Sequence, residues 1–340
     1  MNRHSQQGFT LIEWLIAIVI GLFLTAGISS FLVASQRSTE STYHSEQLME
    51  SGRIAMHLIT RDLRMVGFFG EYTGNPMVRG SGVDLVADDI VAANDCTIDW
   101  IGSTPEGSFP SVDGRFSSLF VGQINSANSL NGQYSCVSSR SNLVVDSDVI
   151  GIKRVIGSPI QSAGELDPER FYFAANAASA QIFTSADPWP TETAMPGRQI
   201  WEYQHIVYYL DVSAQSGLPV LRQLYLDNDN GSASGMQILG SGPLVEGIER
   251  MRVLLGVDTD TTQDGVVNDF VSSDNVTPQQ WSEGRVIGAK VFLLVRSLTE
   301  DKNYTNSNSY ELGDLSVAAA NDHYRRALFE SVVSLRNMVY

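Results

Sequence analysis

Gly8-Phe9-Thr10-Leu11-Ile12-Glu13, running straight into Trp14-Leu15-Ile16-Ala17-Ile18-Val19, is the stretch that decides the fold. From Trp14 to Gln36 no residue is charged, and those 23 positions suffice to cross about 30 Å of hydrocarbon as a helix. Glu13 stands at the mouth of that run. A carboxylate inside a membrane helix costs roughly 2.5–3.5 kcal/mol at the helix centre, so Glu13 calls for a partner. The preceding Met1 to Gly8 is short, polar and basic. A secretory signal places its small-residue cleavage site after the apolar run. Here the small residue comes before it, so cleavage after Gly8 would leave the helix on the mature protein. Arg3 precedes the span and the acidic bulk follows it, which puts Met1 in the cytoplasm and the remaining domain on the far side, in the periplasm or outside the cell.

Beyond Gln36 the apolar character narrows to a stripe. Leu48, Ala55, Leu58 or Ile59, Asp62 or Leu63, and Val66 recur at helical spacing, with Glu46, Arg53, Arg61 and Asp62 among the polar neighbours. Gly67 is placed to end the helix. No proline occurs before Pro76, so the expectation is one helix from about Phe9 to Val66, roughly 87 Å long at 1.5 Å per residue. A break near Gly52 is the alternative. Residues 72–142, rich in Gly, Ser and Asn, read as loops and short strands. The β-rich stretches after them are Val149 to Ile156, Gln199 to Val212, Val220 to Leu226, Met251 to Val257, Val286 to Leu298 and Ala327 to Leu335. The fold class is therefore α+β, with a long N-terminal helix packed on a mainly antiparallel, β-rich domain.

With a net charge of −16, the chain would be repelled by phosphate backbones, so direct nucleic-acid binding is not expected. Cys96 and Cys136 lie in a domain assigned to an oxidising compartment and are expected to form one disulfide. No GxSxG, HExxH or P-loop occurs, and His4, His44, His57, His205 and His323 are scattered, so no enzyme is indicated. Tyr203, Tyr208, Tyr209 and Tyr225 read as core or cross-strand packing. Asp260, Thr262, Asp264, Gly265, Val266 and Asn268 match the first nine positions of a calcium loop, with Asp258 or Asp269 as further oxygen donors. The twelfth position is Val271, which excludes a complete EF-hand, and a solvated turn is the competing reading. Asp227 and Asp229 before Gly231 form a weaker candidate of the same kind.

Gly8, Phe9 and Glu13 together resemble the type IV prepilin leader. Ser51-Gly52-Arg53-Ile54-Ala55 followed by Arg61-Asp62-Leu63-Arg64-Met65-Val66-Gly67 resembles the minor pilin family PilW. So do Leu244 to Glu249 leading to Gly256-Val257-Asp258, and Arg325-Arg326 leading to Phe329, Val333, Leu335, Arg336 and Asn337. Where the family often has Cys after the glycine at Gly70, this chain has Glu71. The resemblance implies residues 1–8 as a leader cut after Gly8, and Phe9 as the methylated amino terminus. It implies 9–36 as the transmembrane half of the helix, 37–66 as its amphipathic half, and 67–340 as the globular domain. It further implies a subunit of the complex that primes pilus assembly and sits at the pilus tip, whose work is binding and not catalysis, with Glu13 neutralising a neighbour's amino terminus. Its implied partners are other minor pilins, the major pilin, the prepilin peptidase, the assembly platform and a large tip adhesin. Adhesion, twitching motility or DNA uptake would follow from that role. The leader and Glu13 fit a minor pseudopilin of type II secretion equally well, or a membrane-anchored adhesin or enzyme that borrows the leader.

Overall fold

The computed structural model describes residues 10–73, 77–86, 96, 107–112, 116–125, 130, 134–138, 140–228, 235–238 and 242–338. Gly8 and Phe9 lie outside them. One unbroken helix, α1 (Leu11–Met65), carries the N-terminal part of the chain. Thr10 caps it: its side chain accepts from the Glu13 N–H, and the Glu13 side chain reaches back to the Thr10 N–H, a reciprocal capping box. Gly52 does not break the helix. It lies against Phe329 near the C-terminus, whose ring a Cβ would meet. Val66 ends α1, and Gly67 follows with φ +74°, its N–H donating to the Lys153 carbonyl in the domain rather than to the helix.

Two short strands follow α1, β1 (Val78–Arg79) and β2 (Gly82–Leu85), and then β3 (Leu119–Gln123), a single turn α2 (Ser135–Ser138), β4 (Asp148–Val155), β5 (Phe171–Ala175) and β6 (Ala180–Thr184). The long β7 (Gln199–Val212) and β8 (Pro219–Asp227) precede β9 (Gly235–Ile238), β10 (Val245–Glu246), β11 (Ile248–Val257) and β12 (Asp269–Val271). The chain closes through α3 (Pro278–Ser282), β13 (Val286–Arg296), β14 (Tyr310–Leu312), β15 (Leu315–Val317) and β16 (Arg326–Ser334).

Among the described residues a ten-stranded sheet runs β1-β2-β6-β5-β7-β4-β3, with β8 on the distal half of β7 and β9 and β10 on β8. β7 organises it, because its 14 residues are long enough to pair with β5 and β4 at one end and β8 at the other. A second, antiparallel sheet runs β12-β11-β13-β16, and a β14–β15 hairpin lies against it. Pairing is antiparallel throughout except for β1–β2 and β2–β6. All six sequence-expected strands are present. β5 and β6 carry no expectation: every residue of Phe171–Ala175 is buried, so no polar/apolar alternation marks it.

The C-terminal half of α1 joins the two sheets. Leu48, Ala55, Ile59 and Leu63 share one core cluster with Ile152, Ile206 and Tyr208 of the first sheet and Val253, Val291, Leu293 and Val333 of the second. Each such fully buried aliphatic side chain contributes about 1.5–3 kcal/mol relative to exposure. Among the described residues nothing packs against the N-terminal half. Leu11, Trp14, Phe23 and Phe31 stand open, Phe23 at 78 %. α1 is long and apolar enough to cross a membrane, and none of its apolar window is buried.

Candidate assembly interface of the N-terminal helix

Glu13 is already engaged within its own chain. Its Oε2 accepts from the Thr10 N–H at 2.8 Å and from the Thr10 hydroxyl at 2.9 Å. Those bonds place a carboxylate at the positive end of the helix dipole and satisfy an orphan N–H of the first turn. Any cation competing for Glu13 has to share or open this box, and an N-cap of this kind is worth about 0.5–2 kcal/mol.

Behind the apolar half, α1 is fixed to the domain by polar groups as well as by its stripe. Asp62, which the sequence offered both as a stripe position and as a polar neighbour, is fully buried. The helical stripe is broad enough to carry both Asp62 and Leu63 inward, and the carboxylate is matched there. Its Oδ1 accepts from Arg154 at 3.0 Å and from the more exposed Arg61 at 3.3 Å, and its Oδ2 accepts from the Tyr208 hydroxyl at 2.6 Å. Burial, and then the Asp62 charge beside it, hold the Tyr208 phenol far above its usual range. His44 is also buried, near Asp301 of the β13–β14 connection. At the far end the Asn337 side chain donates to the carbonyls of Arg64 and Val66, tying the C-terminal segment to the end of α1. Glu71 accepts from Gln199 at 2.9 Å.

Cys96 and Cys136 are disulfide-bonded, with Cα atoms 4.7 Å apart, and both are buried. Beside them the structure gathers groups that lie far apart in the sequence. His205 Nδ1 is 2.9 Å from the Ser108 hydroxyl and its Nε2 is 2.7 Å from the Tyr134 hydroxyl. Ser108, Tyr134 and His205 are all fully buried. Burial and then the Lys153 charge push the His205 imidazole well below its usual range, keeping it neutral. The arrangement ties the loop that carries Cys136 to β7. Tyr203, Tyr208 and Tyr209 are core residues, whereas Tyr225 is half-buried beneath Arg170.

A second buried ion pair links the sheets. Asp148 accepts from Arg252 at 2.8 Å and from the Val253 N–H at 2.6 Å, while Arg252 also grips Asp314 at 2.7 and 2.6 Å. Burial pushes the Asp148 carboxyl up to about 7, against the pull of Arg252.

In the calcium-like loop, Asp258, Asp260 and Asp264 bring carboxylate oxygens within 4.8 Å of one another. Asp258 is buried, and its oxygens accept from the N–H groups of Asp260, Asp264 and Gly265. The Asn268 side chain accepts from the Thr259 N–H and donates to Asp260. Thr262 and Val266 are exposed. Of the second candidate, Asp229 and Gly231 lie outside the described residues.

Two families match the chain. Type IV Pilus-assembly protein W matches residues 207–337, from the second half of β7 to the Asn337 tie. The prokaryotic N-terminal methylation motif matches residues 3–29, which include Gly8, Phe9 and Glu13. The Ser51 to Gly67 stretch lies outside both spans. No curated protein matches the chain in sequence. Among solved structures, a type IV-like pilin from Thermus thermophilus aligns over 87 % of this chain and 98 % of its own at 11 % identity, with a TM-score of 0.35, a likeness too distant to bear on function. The chain is thus similar to prepilins at its membrane end and to the PilW family over the C-terminal part of its domain.

Proposed function

We propose that this protein is a minor pilin that joins the complex priming type IV pilus assembly and takes its place at the tip. One observation carries the reading. Among the described residues the apolar half of α1 has no partner, while the other half is locked to the domain, which suits a subunit whose helix exchanges lipid for neighbouring helices. On this reading the peptidase cuts after Gly8 and methylates Phe9, and the domain waits in the periplasm before assembly. Glu13 then leaves its bonds to Thr10 to neutralise a neighbour's new amino terminus. In an apolar filament core an unpaired charge is strongly penalised, so that pairing sets register. Adhesion, twitching motility or DNA uptake are the behaviours this role would support.

The test is deletion of the gene with complementation by wild-type and Glu13→Ala chains, counting surface pili and identifying co-purified pilins. Loss of pili, restored by wild type only, with the Glu13→Ala chain still membrane-inserted, is the expected result. Normal pili with failed export of a secreted enzyme would move the chain to a type II secretion pseudopilus. Normal co-purification of Glu13→Ala with other pilins would remove the role given to that carboxylate.

A further inference from the structure

Asn-x-Ser/Thr occurs three times in the chain, at Asn230-Gly231-Ser232, Asn275-Val276-Thr277 and Asn303-Tyr304-Thr305. The tripeptide sets a hydroxyl two residues past an asparagine amide, the arrangement by which glycosyl transfer to nitrogen selects its acceptor. Asn230 lies outside the described residues. The second tripeptide is consumed by the fold. The Thr277 hydroxyl caps α3, accepting from the Gln280 N–H and donating to the Gln280 side chain, Val276 is buried, and Pro278 follows directly.

The third is presented. It lies in the irregular β13–β14 connection, residues 297–309, which two buried residues pin on either side of it. Asp301 accepts from Arg325 at 3.0 and 2.8 Å, and the Asn306 side chain donates to the Tyr310 hydroxyl and the Tyr324 carbonyl. Between these pins Lys302, Asn303 and Thr305 are exposed. The Asn303 N–H donates to Asp301, and among the described residues the Asn303 side-chain amide and the Thr305 hydroxyl have no hydrogen-bond partner. The loop also sits toward the membrane end of the domain. Asp301 lies near His44, the first buried residue of α1, which is eight residues past Gln36 and so about 12 Å along the helix from the end of the uncharged run.

We propose that Asn303 accepts a preassembled oligosaccharide from a polyprenyl-pyrophosphate carrier in the adjoining leaflet, moved by a membrane-bound transferase. The Asn303 Nδ2 forms a bond to the anomeric carbon of the sugar, and the bond from that carbon to the pyrophosphate oxygen breaks. The carrier leaves with the electron pair, and the amide gives one proton to a basic group of the transferase. The inference rests on the assembly reading only in placing the domain in the periplasm. Nearness to the bilayer favours a lipid-borne donor over a soluble one. A subunit drawn out of the membrane carries Asn303 away from that donor, so transfer precedes assembly.

The test purifies the full-length chain from membranes of the cells that make it and weighs its proteolytic peptides by mass spectrometry. One added oligosaccharide is expected on the peptide carrying Asn303, lost entirely in Asn303→Gln and Thr305→Ala and retained in Thr305→Ser. Blocking synthesis of the lipid-linked donor should remove the same mass from wild type. An unmodified Asn303, sugar carried by Asn275 or by hydroxyl groups instead, or sugar at Asn303 that survives loss of the lipid-linked donor would each overturn the proposal. Protease added to spheroplasts separates the two failures. A domain it cannot reach would overturn the periplasmic orientation as well, whereas an accessible, unmodified domain overturns the glycan alone.

Discussion

Replacing Asp62 by Ala tests how the helix is held to the domain. Asp62 is fully buried, and its removal leaves Arg154, itself only 8 % exposed, without its carboxylate and leaves the Tyr208 hydroxyl without its acceptor. Breaking a buried pair by deleting one member costs about 3–5 kcal/mol, because the surviving charge stays desolvated. The lost tyrosine bond to a charged group adds about 1.5–3 kcal/mol when scored alone. The two overlap, so the expected loss for Asp62→Ala is about 4–6 kcal/mol. Tyr208→Phe should cost about 1.5–3 kcal/mol by itself and much less in the Asp62→Ala background, since its partner is already gone. The double replacement Asp62→Leu with Arg154→Met removes both charges and should recover most of the loss. The assay is urea unfolding of the detergent-solubilised full chain, followed by near-UV circular dichroism. A loss below about 1 kcal/mol for Asp62→Ala, or full additivity with Tyr208→Phe, would refute the claim that this cluster fastens helix to domain.

Four further outcomes are expected. Asp148, with its pKa raised to about 7, binds more protons folded than unfolded between about pH 4 and 7, so its contribution falls as pH rises through that window, by roughly 2–4 kcal/mol. Unfolding midpoints at pH 4.5 and 7.5 should show that fall in wild type and lose it in Asp148→Asn, and an unchanged fall in the variant would refute the assignment. Asp314 and Asp322, held below the usual carboxylate range chiefly by hydrogen bonds from Arg252 and Arg326, act oppositely and lose their contribution as pH drops below about 4. Cys96→Ala with Cys136→Ala opens a crosslink spanning 40 residues and should cost about 3–4 kcal/mol in the chain-entropy account, read from the same urea titration. Asp258→Ala removes the acceptor of three backbone N–H groups, and the destabilisation should be equal in EDTA and in calcium. A loss confined to the calcium sample would instead make the loop a cation site.

The helix and the six long or alternating strands were legible because length and period are local properties of the chain. Uncharged residues from Trp14 to Gln36 and the absence of proline define α1, and β7 shows its full extent from Gln199 to Val212. β5 was not legible, since burial of both its faces erases alternation. Asp62 was left between stripe and polar face for a related reason. A carboxylate on a helix reads as surface unless the residue that neutralises it is known, and Arg154 and Tyr208 are supplied from strands 92 and 146 residues away. The Ser108–His205–Tyr134 cluster has the same origin, because its contacts span 97 and 71 residues. No short motif records such contacts. The Cys96–Cys136 bond could be anticipated, as compartment and cysteine count leave one pairing.

The parallel course of α1 and β16 determines how the protein bears a pull. Gly52 lies against Phe329 and the end of α1 against Asn337, so helix and last strand advance together. β16 is bonded antiparallel to β13 from Arg296–Arg326 to Gly288–Ser334. Tension drawn along α1 therefore reaches the sheet as shear, loading many ladder bonds at once rather than peeling them one by one from an end. A subunit of this build behaves like a lap joint, whose resistance to forced opening is a matter of unfolding rate more than of equilibrium stability.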